Sequence, residues 1–439
     1  MGTFSSQQYA DFTDRAAKLF LPFTPIDLLE LFKGRVAVIR KLHEELSSPG
    51  RHAVLFGDRG VGKTSMANLM PFFIGTPDDR THTVRCSKES TFDSMLAKVL
   101  CESGVTHVSG VFTEEELRGI SFGGSGVRLN ATNSKTTEYQ PVDGPFRITP
   151  QMICQHIGED ERLIVIDEYD RVTNEPTHAA IADLIKQFSD MGSPAKILLV
   201  GVAESVSTLL GSHESIVRCV AEVKLRRMEP EELREILTYG FTELGLDCGV
   251  EIENRIVELS DGFPHFTHLL GLKCCRAVAN RCHDYSDQPV AVKAVDYRNA
   301  LRQAIQDSDQ TLKSAYREAT ETTRKKSEIF ARVVEGIAIS DSKEVQVNEI
   351  VHNINEIYDT DLKPQAISYH LGKLTADDRS SILERSRTGF YKFANPMMRA
   401  FVRMKLDLDN YSDDNGQMRM PFMKLVKRRT AIEQPQEKR

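Results

Sequence analysis

Gly57, Gly62, Lys63 and Thr64 stand in the order Gly-x-x-x-x-Gly-Lys-Thr, and that spacing is suited to gripping a phosphate chain. Glycines let successive backbone N–H groups turn inward around an anion. The start of a helix adds partial positive charge, a lysine brings a full charge to the outer oxygens, and a threonine hydroxyl can reach a hard cation such as Mg²⁺. The loop Gly57, Asp58, Arg59, Gly60, Val61, Gly62, Lys63, Thr64, Ser65 is therefore the expected nucleotide-binding segment. The apolar run His52–Phe56 before it predicts a buried strand, and Met66, Leu69 and Met70 after it predict a helix.

A second constellation lies about a hundred residues on. Leu163–Ile166 is a continuous apolar run ending in Asp167 and Glu168, as expected when a central parallel strand delivers carboxylates to the carboxyl edge of a sheet. Paired with a phosphate-binding loop, Asp167 would join Thr64 in holding Mg²⁺, and Glu168 would polarise the attacking water. Glu168 and Lys63 are thus the first catalytic candidates.

Positioning these groups takes a large scaffold. At 439 residues the chain exceeds one hydrophobic core, so two to four domains are expected. Its hydrophobic content of 40% and charged content of 27% are ordinary for a globular protein. No apolar run approaches the ~18 residues of a membrane span, and residues 1–15 lack the basic and apolar regions of a signal peptide. Met1-Gly2 with Ser6 fits a myristoylation pattern only loosely. None of the eight cysteines forms a C-x-x-C pair, which speaks against a zinc site and for reduced thiols in the cytoplasm. A net charge of −7 argues against general coating of nucleic acid, so any DNA contact must be local.

In chain order, residues 1–31 read as a helix and linker, and Val36–Leu46 as a helix. Thr81–Cys86 reads as a strand and Thr91–Cys101 as a helix. Residues 104–150, rich in Gly, Ser, Thr and Asn after a capping box at Thr113 and Glu116, read as an insertion: a substrate-facing loop, a surface hairpin or a disordered stretch. Ala182–Phe188 predicts a helix and Lys196–Val200 a buried strand. Glu229–Arg281 reads as helix throughout, and residues 284–326 as a helical connector. A last unit, Ser327–Leu406, comprises helices Glu328–Ile337 and Val347–Tyr358, a helix opened by Pro364, and a hairpin turning at Arg387–Gly389: a winged helix. Between Asp361 and Lys405 nine Lys/Arg face four Asp/Glu, opposite in sign to the whole chain. That favours duplex DNA, with Ser368, Tyr369, His370 and Lys373 toward bases and Arg385 and Arg387 toward phosphate. Protein docking or autoinhibition is the competing use. The tail 407–439 is expected to be a disordered basic arm.

From Phe32 to Leu406 the chain resembles an AAA+ P-loop ATPase of the replication-origin initiator and helicase-loader group, through GDRGVGKTS, VIDEYD and the order of its domains. The resemblance implies an α/β fold: a P-loop αβα parallel-sheet core at 32–228, a helical lid and connector at 229–326, and a winged helix at 327–406. It also implies ATP and Mg²⁺ as ligands and ATP hydrolysis as the activity. Further implications are an adenine contact from Phe32 or Gly34 and a γ-phosphate sensor near Glu204 or Ser205. SIVRC is similar to the Ser-Arg-Cys motif of clamp loaders, with Val217 in place of serine, and implies that Arg218 reaches into a neighbouring subunit of a homo-oligomer. Gly262-Phe263-Pro264 departs from the initiators and resembles the G-x-P motif of STAND signalling ATPases, in which the proline, here Pro264, packs near adenine. His265 would touch a phosphate or simply open a helix. Two readings follow: an oligomeric ATP-driven switch that engages DNA, or a STAND-like signalling or defence ATPase whose winged helix clamps the ADP state or binds a separate effector or client protein. Neither involves a membrane.

Overall fold

The computed structural model describes residues 6–103, 147–203, 216, 218–281, 289–322, 325–326 and 328–409. The chain divides into two compact units, one of residues 25–226 and one combining residues 1–24 with 227–439. In order, the helices and strands begin with α1 (Ser6–Leu19), α2 (Val36–Ser47), β1 (His52–Gly57), α3 (Lys63–Ile74), β2 (Thr81–Arg85) and α4 (Phe92–Glu102). The first unit continues with α5 (Pro150–Ile157), β3 (Leu163–Asp167), α6 (Glu175–Asp190), β4 (Lys196–Val202) and β5 (Val220–Lys224).

Five parallel strands in the order β2-β3-β4-β1-β5 form the sheet of residues 25–226. Every residue of β1 and β3 is buried, as continuous apolar runs require when helices cover both faces of a sheet. On one face α4, α5 and α6 pack against β3 and β4 through Leu96, Leu100, Ile153, Ile181, Ile185 and Phe188. The α/β parallel-sheet core expected from the sequence is what folds. The stretch read as an insertion is shorter than expected at its C-terminal end: Ile148 is buried and donates its N–H to Asp93 Oδ1 at 2.6 Å, and Thr149 caps α5. Residues 104–146, the capping box at Thr113 and Glu116 included, lie outside the described residues.

The other unit holds α1 and, after the sheet, α7 (Pro230–Glu243), β6 (Leu246–Cys248), α8 (Val250–Ser260), α9 (Pro264–Arg281), β7 (Val290–Val292), α10 (Ala294–Asp307) and α11 (Gln310–Thr320). Glu229–Arg281 is therefore not helix throughout. Gly245, at φ +65°, ends the first helix, and β6 then pairs in parallel with β7. The segment read as a helical connector is interrupted in the same way, by β7 and by a break at Ser308-Asp309, where Asp309 caps α11. The short strands β8 (Glu321–Thr322) and β9 (Lys325–Lys326) pair antiparallel.

Phe20 anchors the N-terminal segment in this unit. Its ring is fully buried against Gly240 of α7 and Gly271 of α9, at each of which a Cβ would collide with it. Leu21 N–H donates to His268 Nδ1 at 3.3 Å.

Last come α12 (Glu328–Ala338), β10 (Val345–Gln346), α13 (Val347–Tyr358), α14 (Pro364–Leu374), β11 (Leu383–Arg387), β12 (Phe390–Phe393) and α15 (Met398–Asp409). The three strands form an antiparallel sheet in the order β10-β12-β11. The expected tail begins inside α15 instead: Asp407 is buried, paired with Arg255 and hydrogen-bonded by Tyr297 Oη at 2.7 Å. Residues 410–439 lie outside the described residues.

Candidate nucleotide site

β4 lies between β1 and β3, so the phosphate-binding loop and the acidic strand end sit two strands apart on the carboxyl edge of the sheet. The loop arches back across that gap. Thr64, on the first turn of α3, donates its hydroxyl to Asp167 Oδ2 at 2.8 Å. The turn is possible because its glycines take left-handed backbone: Gly57, Gly60 and Gly62 have φ of +152°, +82° and +95°. At Gly57 a side chain is also excluded by space, because a Cβ would meet the carbonyl of Leu225, where the chain leaving β5 returns to donate N–H to Phe56 O at 2.7 Å.

Lys63 is buried, and its Nζ donates to the carbonyls of Gly57 at 3.1 Å and Asp58 at 2.8 Å. Burial lowers its ammonium below the usual lysine range, against the opposing pull of Asp170, Asp167 and Asp58. Asp167 is buried too. Desolvation raises its carboxyl, while the Thr64 hydroxyl and the N–H of Glu168, which donates to its Oδ1 at 2.8 Å, hold it down. A triphosphate with its cation answers both costs: the ammonium gains anionic oxygens and the carboxylate a divalent cation. The residues therefore fit ATP and Mg²⁺. Thr64 and Asp167 would hold the cation, which usually takes one or two carboxylates and fills its remaining positions with water and phosphate oxygens.

Glu168 sits in left-handed backbone at φ +55° immediately after β3. Its side chain is about half exposed, and its Oε2 accepts from Arg171 Nη1 at 2.6 Å. Reasoning from sequence missed this partner, although a basic residue three positions after an acidic one across a tight turn was the available signal. It also missed Asp170, whose Oδ1 accepts the N–H of Val202 at 2.7 Å and so ties the acidic turn to the end of β4. Glu204 and Ser205 lie outside the described residues.

Arg218 is exposed, 3.6 Å from Asp190 across an ion pair, at the opposite edge of the sheet. β5 runs parallel to β1 with Val220 beside His52 and Lys224 beside Phe56. From Arg218 to the strand end is about 20 Å at ~3.3 Å per residue, beyond the length of one side chain. Arg218 is not brought together with its own phosphate loop.

Pro264 belongs to the other unit, where it opens α9 after Gly262 at φ +78°. Phe263 beside it is fully buried under the guanidinium of Arg227, 4.5 Å from the ring centre. His265, expected either to touch a phosphate or simply to open a helix, lies in the first turn of α9 and pairs its Nδ1 with the carbonyl oxygen of Pro22 at 2.7 Å, and burial lowers its pKa.

Residues 46–210 match the family model described as an AAA domain, AAA_22. No curated protein matches the chain. Among solved structures it is similar to the Walker-type ATPase PABY2304 of Pyrococcus abyssi, at 17% identity over 88% of this chain and 99% of that one, with a TM-score of 0.48. It is also similar to the Aeropyrum pernix ORC2 protein, at 13% identity over 86% and 95% of the two chains, TM-score 0.46. A third is the Thermotoga maritima RuvB Holliday junction branch migration motor, at 14% identity over 84% and 95%, TM-score 0.41. With the strand, glycine loop and helix around Lys63 facing the carboxylate of Asp167, residues 46–210 form an AAA-type ATPase domain built around a P-loop.

Proposed function

We propose that this ATPase is an oligomeric molecular switch that binds and hydrolyses ATP with Mg²⁺ and engages duplex DNA through a C-terminal winged helix. The observation that carries the catalytic part is the convergence of Lys63, Thr64 and Asp167, with Glu168 next to them at the sheet edge. The backbone of Gly57–Ser65 and the ammonium of Lys63 bind the phosphates. When bound, the Mg²⁺ neutralises phosphate charge. Glu168, released from Arg171, accepts a hydrogen bond from the water that attacks the γ-phosphorus and orients it in line with the departing oxygen. Arg218, turned away from its own loop, serves the site of a neighbouring copy. An arginine so placed adds ~10³–10⁵ in rate, which makes turnover depend on assembly.

The DNA reading rests on exposed Tyr369, on Lys363, and on Arg385 and Arg387 in the β11–β12 hairpin. The basic surface is smaller than the sequence count implies. Arg399 and Arg403 are buried within 3.8 Å and 3.4 Å of Asp261, and Arg379 lies 3.8 Å from the ring centre of Phe330. His370 packs half-buried on Phe330 at 4.8 Å and does not join the exposed face.

A specific observation favours the second reading, a STAND-like ATPase with an autoinhibitory or partner-binding C-terminal module. Asp261, beside Gly262-Phe263-Pro264, is in left-handed backbone and sits among Arg227, Arg399 and Arg403, so α15 is fastened by buried charges to that turn. Gel shift of duplex DNA by Glu168→Gln protein with ATP, ADP or no nucleotide separates the two. The switch predicts salt-sensitive, ATP-dependent binding that Arg385→Ala/Arg387→Ala removes. Absence of a shift in all three states overturns the DNA engagement.

A further inference from the structure

The segment preceding α2 braces the phosphate loop from outside. Ile26 N–H donates to Ser65 Oγ at 3.0 Å, on one side of Lys63-Thr64. On the other side, the guanidinium of Arg35 donates through Nη2 to Val61 O at 3.0 Å and through Nη1 to Arg226 O at 2.6 Å. Arg35 is buried, and it follows Gly34 in a consecutive pair of left-handed residues, φ +70° and +66°. Left-handed backbone is disfavoured at a long side chain, so the arginine is held there by its surroundings, these two carbonyls among them.

The consequence follows from peptide geometry. A trans peptide points its C=O and its N–H to opposite sides. Drawing the Val61 carbonyl outward onto Arg35 therefore turns the Gly62 N–H inward, and that N–H donates to no group among the described residues. We infer that Arg35 is a positioning residue: by holding the Val61–Gly62 peptide it aims the Gly62 amide at the β-phosphate of the bound nucleotide. Through Arg226 O, it also ties that amide to the last residue of the unit. Arg35 itself does not touch the nucleotide.

This inference rests on nucleotide binding at the phosphate loop, and its test separates the two. Titration calorimetry compares ADP with AMP on the full chain, as wild type, Arg35→Ala and Arg35→Lys, each first checked for folding by thermal melt. Lost positioning weakens ADP about 10-fold or more while AMP changes less than ~2-fold, because hydrogen bonds to a charged group are stronger than ordinary ones. Arg35→Lys, which can serve one carbonyl, is expected between the two and supplies the comparison should the alanine variant fail to fold. Unchanged ADP affinity, or equal weakening of ADP and AMP, overturns the inference. Wild-type protein that retains no ADP overturns the phosphate-site reading beneath it.

Discussion

Arg218→Ala should inactivate the ATPase while leaving its nucleotide site intact, and the lost activity should return on mixing with a second inactive variant. The sheet register places Arg218 about 20 Å from the carboxyl edge of its own strand, so in the proposed assembly its charge would act on the site of another copy. Removing it is expected to cost ~10³–10⁵ in kcat, or about 4–7 kcal/mol of transition-state stabilisation. Among the described residues the side chain pairs with Asp190 at 3.6 Å, a surface ion pair worth under ~1 kcal/mol, so folding and ATP affinity should barely change. Steady-state phosphate release is then measured for Arg218→Ala, for Lys63→Ala and for their equimolar mixture. A head-to-tail interface needs Lys63 from one copy and Arg218 from the next, so random assembly makes about one quarter of interfaces competent. Recovery near that fraction, rising with protein concentration, is the expected result. Wild-type turnover by Arg218→Ala alone, or a mixture as inactive as its components, would refute the trans arrangement.

Two further outcomes concern stability. His52 and His268 are buried and neutral, each accepting a backbone N–H on Nδ1, and burial lowers them to about 3 and about 4. Because their folded pKa lies below the unfolded value, the unfolded chain binds the extra proton, and stability falls as pH drops below about 6.5. Between pH 7.5 and pH 5 each should cost about 2 kcal/mol. His52→Asn keeps an acceptor for the Ile197 N–H and should remove that increment from urea unfolding measured at the two pH values. An equal acid sensitivity in wild type and variant contradicts the assignment. Phe20→Ala should destabilise the unit that contains α7 and α9 by about 3–5 kcal/mol, the usual cost of deleting a fully buried ring. A loss below about 1 kcal/mol in the same unfolding experiment would show that the notch at Gly240 and Gly271 is not filled as described.

The strand, loop and helix around Lys63 were legible because each depends on residues adjacent in sequence: an apolar run, glycines that alone permit the turn, and a helical pattern behind them. Asp167 was legible for the same reason. Its distance from Thr64 was not, because the intervening strand β4 comes later in the chain. Arg399 and Arg403 looked like surface charge in a basic window, yet they lie on the buried side of α15, and the carboxylate they face, Asp261, is more than a hundred residues away. The pairing of β6 with β7 joins two three-residue strands some forty residues apart, too short to leave an alternating pattern. Arg35 was passed over in favour of Phe32 and Gly34, because nothing local marks a side chain whose partners are backbone carbonyls of distant residues.

The central claim is that the loop at Gly57–Ser65 holds a nucleoside phosphate. Calorimetric titration of ADP with Mg²⁺ into the wild-type chain and into Lys63→Ala tests it most directly. One saturable site per chain is expected in the wild type, and that site should be lost in the folded variant. A wild type that takes up no nucleotide, or a Lys63→Ala protein that binds it equally well, would contradict it.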